Sequence, residues 1–502
     1  MNKAWIASFP MPCALCLAVL LPCGAATSGP ARVWTRLRGS ALSDWGNAVA
    51  TDSRSNIYVC GSNGGALDGQ TNIGQVLVKW NAAGEWVWTR TLGGEDAEPY
   101  EALGLAVDTQ DSVYVCGEAS LDFDGHVHPA PGTYMATLVK FHSDGAKQWS
   151  LLFGSTNQTS ARAVVCDTNF NVYVTGITYG PFDGQASWGG MDPFLWKCDG
   201  DGNWKWTRIW GTGGMERAFG LAAWGSNIYV GGDAELPFDG QPGNGLSDVF
   251  LTLWRADGTK QWSHLFGTPS NDYASAVASL NDAVALCGDT FGAWTGYTNK
   301  GRRDAFVLVF DAEGTLRRTI MFGGTNQEYT AGVALSADGI CVAGEVWPGS
   351  SWGGEPAPDA FCDMFLEARK WNGTTNWTRF WGGPEADYAG QIAVSAEGAI
   401  YVPSKVQSEY DGQTITGYFD MAVSRYEPLH QIQVSTLSVE GNLPVVRWRG
   451  AYDWTYDLMQ CEDLIGGSWA PVAGQTNLPG GEAMCATGQS AQALFCHPRA
   501  NR

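Results

Sequence analysis

The segment FLWKCDGDGNWKW, residues 194–206, decides the fold. It predicts a strand, a turn built on glycine, and a second strand with a tryptophan four residues after that glycine. The same mark occurs six times, once with an arginine in place of the tryptophan, and successive glycines lie 61, 57, 56, 56 and 59 residues apart. Such a period indicates one repeated supersecondary unit, because a unit of this size cannot bury its apolar face alone. The marks are Gly84/Trp88, Gly145/Trp149, Gly202/Trp206, Gly258/Trp262, Gly314/Arg318 and Gly373/Trp377.

Each unit is predicted to have four strands. The first is small and apolar, as in Ala48-Val49-Ala50, and the second carries a Tyr-Val pattern, as in Ile57-Tyr58-Val59. The third strand and the tryptophan strand form a hairpin, and nine residues separate Lys79 from Trp88 and the matching pair in every other marked unit. A hairpin of constant length fixes strand register. Short runs of β-formers without helical periodicity predict an all-β protein.

The two ends of the repeat region are predicted to complete one another. Seven second-strand anchors are present, at positions 58, 114, 173, 229, 285, 341 and 401. The last third strand, Asp420 to Arg425, is followed by no hairpin, whereas Val33 to Arg36 resembles a tryptophan strand without a blade. Closure of the ring by this N-terminal strand would remove exposed sheet edges. We therefore predict a seven-bladed β-propeller of four-stranded blades over residues 31–428.

The repeat resembles a known family. Asn47 to Asp52 followed by Asn56 to Gly61, and Asp304 to Val307 later in the chain, resemble the bacterial beta-propeller repeat known as SBBP. The resemblance covers roughly four-fifths of the chain. It implies a secreted or surface protein, and it implies no particular chemistry.

Sequence features at both ends of the chain indicate an exported protein. Residues 1–26 are similar to a signal peptide, with a basic Lys3, an apolar Ala14 to Leu21 and a cleavage site after Ala26. The apolar run is too short to span a bilayer, so no transmembrane segment is expected. Cys23 leaves lipid anchoring open. Residues 431–502 are predicted to form a small β-sandwich-like module that resembles C-terminal modules of exported bacterial proteins. The expected location is outside the cell or in the envelope.

Charge and cysteine usage narrow the function. The net charge is −21, with 30 basic against 51 acidic residues, which argues against nucleic acid and favours cations or basic partners. Cys60, Cys116 and Cys287 share one repeat position that small residues fill elsewhere. Their placement predicts buried free thiols rather than a disulfide framework.

A ring of acids is the strongest candidate site. Acids begin the innermost strand of five units, and an aromatic residue follows four of them. Such a ring at the channel mouth could hold Ca²⁺, the one cofactor considered, or a basic peptide or a stacked sugar. The alternative is structural, with each acid bound to backbone amides of the next blade. The residues are Asp44, Trp45, Glu216, Asp272, Tyr273, Glu328, Tyr329, Asp387 and Tyr388.

One further segment suggests a metal. Asp122, Asp124, His126 and His128 alternate at period two, so an extended chain would place the four side chains on one face. Carboxylate with imidazole suits a divalent transition metal. The alternative is the ordinary Asp-Gly loop of this repeat, in which only the histidines are unusual.

The favoured function is an exported, non-enzymatic propeller that binds a protein or carbohydrate ligand through its loops. No group of residues typical of a catalytic site recurs in the repeats or is predicted to come together, and a fold by itself does not imply an activity. Two alternatives stay open. One is an enzyme acting on polysaccharide, with channel-mouth carboxylates as acid and base. The other is a structural spacer.

Overall fold

The computed structural model describes residues 32–94, 101–235, 237–353 and 361–427, together with the backbone of seven short strands outside these ranges. The chain divides into two compact units, Thr27–Pro428 and Met1–Ala26 with Leu429–Arg502. Within the described residues, no helix has the length and apolarity needed to cross a membrane.

The larger unit is the predicted seven-bladed propeller. Each blade is an antiparallel sheet in which chain order runs from the channel outwards in the first six blades. The strands of blades one to three are Asp44–Thr51, Ile57–Asn63, Ile73–Trp80, Trp86–Gly94; Glu101–Val107, Val113–Ala119, Met135–Phe141, Lys147–Phe153; and Thr159–Cys166, Val172–Thr178, Asp192–Cys198, Trp204–Ile209. Those of blades four to six are Glu216–Trp224, Asn227–Ala234, Asp248–Arg255, Lys260–Phe266; Asp272–Leu280, Ala283–Thr290, Asp304–Asp311, Leu316–Phe322; and Glu328–Ser336, Gly339–Val346, Asp363–Lys370, Thr375–Trp381.

The seventh blade closes the ring, as predicted. Its outermost strand is Arg32–Arg38, which pairs with Asp420–Tyr426 and places Trp34 opposite Arg425. The second strand is Ile400–Val406. The innermost strand is split into two pieces, Tyr388–Ala389 and Ala393–Val394.

The recurrent tryptophan joins each of the first three blades to the blade that follows it. In the third blade, Gly202 has a φ of 83° and allows the tight hairpin that positions Trp206. The Trp206 ring packs 6.1 Å from that of Tyr173, and its Nε1 donates to the Ala256 carbonyl of the following blade at 3.3 Å. Arg208 donates to the Gly258 carbonyl at 2.9 Å. The mark is therefore an inter-blade connector as well as a hairpin signal.

The cysteine prediction is confirmed for the propeller. Cys60, Cys116 and Cys287 are free and buried. Burial raises the pKa of the Cys60 and Cys287 thiols to about 12. Such thiols are unreactive and act as small apolar side chains.

The smaller unit is also composed of strands. Gln433–Glu440 pairs with Leu443–Arg449, and Thr455–Cys461 pairs with Ala493–Arg499. Further two-residue strands are Leu17–Ala18, Ala470–Pro471 and Leu478–Pro479. The predicted strand at 467–469, the cleavage site after Ala26, and Cys23 lie outside the described residues.

Candidate ligand site in the central channel

The five acids that begin the innermost strands are buried and lock the turn before their own strand. Asp272 accepts hydrogen bonds from the amide and hydroxyl of Thr268 at 2.6 and 2.9 Å. Glu216 and Glu328 accept in the same way from the amides of Thr212 and Gly324, at 2.8 and 3.0 Å. Asp44 and Asp387 do the same with the amides of Ser40 and Gly383.

This arrangement differs from both sequence-based interpretations. The amide donors belong to the turn leading into the same blade rather than to the next blade, and none of the five acids lines the channel cavity described below. In the third blade, Thr159 accepts from the Ser155 amide at 2.8 Å, so a hydroxyl replaces the carboxylate. The shared role is to accept an orphan backbone amide beneath the mouth.

Removing one of these acids should destabilise the fold. Burial raises the pKa of Asp272 to about 6, although amide and hydroxyl donors act in the opposite direction. We expect Asp272→Ala to lower the free energy of unfolding by about 2 kcal/mol, because buried donors lose their acceptor. The folded pKa is raised, so the stability that Asp272 contributes falls as pH rises from its unfolded pKa through about 6. Urea unfolding should therefore show that Asp272→Ala loses more stability at low pH than at neutral pH. The control is Asp201→Ala in an exposed turn, which should change the free energy of unfolding little.

The aromatic residues that follow the acids face the channel. Tyr273 and Tyr329 line a cavity of about 470 Å³ between blades four, five and six. A second cavity of about 220 Å³ is lined by residues from all seven blades, which places it on the propeller axis, and it shares Phe219 and Ser275 with the first. The larger cavity is lined by Arg217, Phe219, Asp233, Tyr273, Ala274, Ser275, Asp289, Arg303, Tyr329, Thr330 and Glu345.

A β-bulge in the innermost strand shapes the smaller cavity. In the first six blades the pairing register shifts around one residue, such as Phe219 between Ala218 and Gly220. A bulge re-aims a side chain. The bulged residues are Asn47, Leu103, Arg162, Phe219, Ser275 and Ala331, and all six line the axial cavity.

Ion pairs and rings build the wall of the larger cavity. Arg217 lies 2.6 Å from Asp233, and Arg303 pairs with Asp289. The guanidinium of Arg303 is 4.1 Å from the ring centroid of Tyr329 and 5.0 Å from that of Tyr273. Both aspartates are buried, and burial raises the pKa of Asp233 to about 6 and of Asp289 to about 7.

Trp45 and Tyr388 surround a different cation. The Lys405 ammonium lies 4.1 Å from the Tyr388 ring centroid and 4.7 Å from that of Trp45. Cation–π contacts of this kind stabilise a partly desolvated ammonium. The aromatic residues of the predicted rim therefore hold cations of the protein itself.

The four predicted metal ligands do not converge. Asp124 and Gly125 have φ values of 49° and 84°, and Phe123 forms a bridge with His126, so this segment is a tight turn rather than an extended strand. Asp122 accepts from the His128 amide at 2.7 Å, Asp124 pairs with Lys147, and His126 contacts the Ser150 carbonyl at 2.9 Å. Across the described part of the chain, no group of three His, Cys, Asp or Glu side chains is placed to hold a metal ion.

Comparison with known proteins identifies the repeat. Residues 33–65, which span the closing strand and the start of the first blade, match the family described as SBBP, the beta-propeller repeat. The match places one SBBP repeat at the start of this seven-bladed propeller. The resemblance inferred from Asn47 to Gly61 is thereby confirmed.

The chain is also similar to named proteins. Regulatory protein FlaEY of Caulobacter vibrioides is 27% identical over 203 residues, which are 36% of this chain and 21% of that protein. The match thus spans about a fifth of FlaEY. Among solved structures, the WD40 beta propeller domain of Doa1 has a TM-score of 0.40 at 10% identity, covering 78% of this chain and 97% of that one. YCF48 from Cyanidioschyzon merolae has a TM-score of 0.41 at 10% identity, and the match covers 78% of this chain and 98% of that one.

The charged residues of the second strands were missed by sequence reasoning. They share one position, four residues after each second-strand anchor, within otherwise apolar strands. Three of them pair directly with innermost-strand residues that line the larger cavity: Asp233 with Arg217, Asp289 with Tyr273, and Glu345 with Tyr329. A charge repeated inside a buried strand was the available signal. The position is charged in five of the seven blades, and the full column is Ser62, Glu118, Ile177, Asp233, Asp289, Glu345 and Lys405.

Proposed function

We propose that this protein is an exported, non-catalytic propeller that binds a protein segment or a carbohydrate at one mouth of its channel. The observation that carries the proposal is the cavity of about 470 Å³, a volume typical of ligand pockets, with rings and charged groups in its wall. The mouth is the end at which the innermost strands begin. Export is proposed from the signal-like N-terminus alone.

Exposed aromatic residues lie at this mouth. Phe291 and Trp347 are 41% and 38% exposed, and their rings lie 6.4 and 6.3 Å from those of Tyr273 and Tyr329. Tyr418 is 64% exposed and packs on Phe419 at 4.9 Å. Partly exposed rings with polar neighbours favour ligand recognition, since they add apolar area at low entropic cost.

Two observations support binding over catalysis. The acids that begin the innermost strands, such as Asp272 and Glu328, accept hydrogen bonds from backbone amides. Asp233 and Asp289 form ion pairs with arginines. Tyr329 donates its hydroxyl proton to the side-chain amide oxygen of Gln327 at 2.8 Å, and an amide oxygen is too weak a base to activate the hydroxyl as a nucleophile.

The proposal is tested with the full chain on arrays of immobilised oligosaccharides and short peptides. We expect saturable binding to at least one class, and about a tenfold loss of affinity for the double variant Trp347→Ala with Tyr418→Ala. The control is Trp204→Ala, because Trp204 is 51% exposed but begins an outermost strand beside the hairpin, away from the mouth. The proposal would be contradicted if the protein bound neither array, or if Trp204→Ala lost as much affinity as the double variant. Cleavage of a bound oligosaccharide would favour the enzyme.

A further inference from the structure

One carboxylate in the cavity wall has no cation of its own. Three acids line the cavity, and two of them, Asp233 and Asp289, form ion pairs with Arg217 and Arg303. Within the described ranges, Glu345 forms no ion pair and accepts no hydrogen bond. Its side chain is nevertheless partly exposed to the cavity. The wall therefore presents one accessible carboxyl group without a partner among the described residues.

The groups around Glu345 do not neutralise it. Arg303 is committed to Asp289, and the Lys405 ammonium lies over the rings of Tyr388 and Trp45. Burial raises the pKa of Glu345 to about 7, and this effect exceeds the opposite influence of Lys405 and Arg303. The titratable and charged groups that face it are Asp289, Arg303, Tyr329, Cys362, Tyr388 and Lys405.

The channel already shows how it stabilises cations. Arg217 lies 5.4 Å from the Tyr273 ring centroid, Arg303 lies 4.1 Å from that of Tyr329, and Lys405 lies 4.1 Å from that of Tyr388. A bound cation could contact aromatic rings in the same way and would also lie near the carboxylate of Glu345. An anion would meet Glu345 and two arginines that are already paired. The net charge of −21 also raises the local concentration of cations.

We propose that the cavity binds an organic cation, an alkylammonium or alkylguanidinium group, with Glu345 as its counter-ion. The ends of lysine and arginine side chains carry this chemistry, and so do free amines. The inference rests on the proposed function and specifies its ligand. The rings of Tyr329 and Trp347 lie on the route from the mouth and would contact the alkyl part.

Calorimetric titration of the full chain tests the assignment. The probes are butylammonium and butylguanidinium as free cations, acetyl-Gly-Lys-Gly-amide and acetyl-Gly-Arg-Gly-amide as side-chain sources, and neutral butanamide. At about pH 8, we expect saturable binding of the cations and none of butanamide. At about pH 5, the affinity should fall at least tenfold, because Glu345 is then protonated. Preference for the peptides over the free amines would assign a protein partner, and the reverse would assign a small molecule.

Variants separate the role of the charge from that of the fold. Glu345→Gln should weaken cation binding at least tenfold at about pH 8 and remove most of its pH dependence, whereas Glu345→Asp should retain part of the affinity. Glu313→Gln, at an exposed hairpin residue, is the matched control. Thermal unfolding should show that Glu345→Gln is folded, since it removes a buried charge. Equal binding of butanamide, unchanged affinity in Glu345→Gln, or no cation binding would overturn this inference. A neutral oligosaccharide bound on the array would still uphold the proposed function.

Discussion

Replacing Gly288 by alanine should lower the free energy of unfolding by about 4 kcal/mol or more. A Cβ at this position would lie 2.0 Å from the Tyr273 carbonyl oxygen and 2.5 Å from Cζ of Phe306. The oxygen belongs to the backbone beside the bulge and cannot rotate away. The innermost strand would have to separate from its neighbour, with loss of hydrogen bonds and of packing. Guanidinium unfolding of the full chain measures the effect.

The seventh blade supplies the control. Ser404 occupies the position equivalent to Gly288, three residues after the second-strand anchor, and its innermost strand is split rather than bulged. Its hydroxyl is buried and has no hydrogen-bond partner in the described structure. Ser404→Ala should therefore change stability by less than about 1 kcal/mol. A similarly small effect for Gly288→Ala would mean that the bulge opens easily.

The glycine column shows what sequence can and cannot reveal. The sequence contains glycine at this position in six blades, and a repeat argument detects the recurrence. The reason lies in pairing between strands, because the carbonyl oxygen at the bulge lies within about 2 Å of each absent Cβ. Single-strand patterns do not report a bulge in the partner strand. The six residues are Gly61, Gly117, Gly176, Gly232, Gly288 and Gly344.

The candidate site was predictable in part, because some of its residues recur at one position of the repeat. Tyr273 and Tyr329 were expected at the channel mouth, and both line the cavity. Their neighbours Asp272 and Glu328 point away from it, since successive side chains in a strand alternate. Asp289 and Glu345 were missed because they lie inside second strands whose other residues are almost all apolar or small. A column of charges at one repeat position becomes interpretable only after the blades are arranged around an axis.

Local turn chemistry explains the metal motif. Period-two alternation applies to extended chain, and Asp124-Gly125 adopts positive φ at both residues. This Asp-Gly turn favours a two-residue hairpin and divides the four side chains between its two arms. The same turn recurs at Asp68, Asp183, Asp239 and Asp411. Repetition of an Asp-Gly loop was therefore better evidence for a turn than two added histidines were for a metal.

Joining the two ends of the propeller by a disulfide should give the largest gain in stability. Thr35 on the closing strand faces Ser424 as its Cα partner, and their Oγ atoms are 3.0 Å apart and buried. Thr35→Cys with Ser424→Cys should therefore form an intramolecular disulfide. The bond closes a loop of nearly the whole propeller, so we expect up to about 5 kcal/mol of stabilisation over the reduced form. Mass spectrometry under oxidising and reducing conditions, followed by guanidinium unfolding, measures both results.

Register provides the test of ring closure. Leu37 rather than Thr35 faces Ala422, so Thr35→Cys with Ala422→Cys places the two sulfurs on diagonal neighbours. Such positions are about 7–8 Å apart, beyond the range in which a disulfide forms without movement of the backbone. This pair should remain reduced or form only intermolecular bonds. Equal cross-linking of both pairs, or none in the first, would show that the N-terminal strand does not hold the position that closes the seventh blade, and the channel cavity would then need a different enclosure.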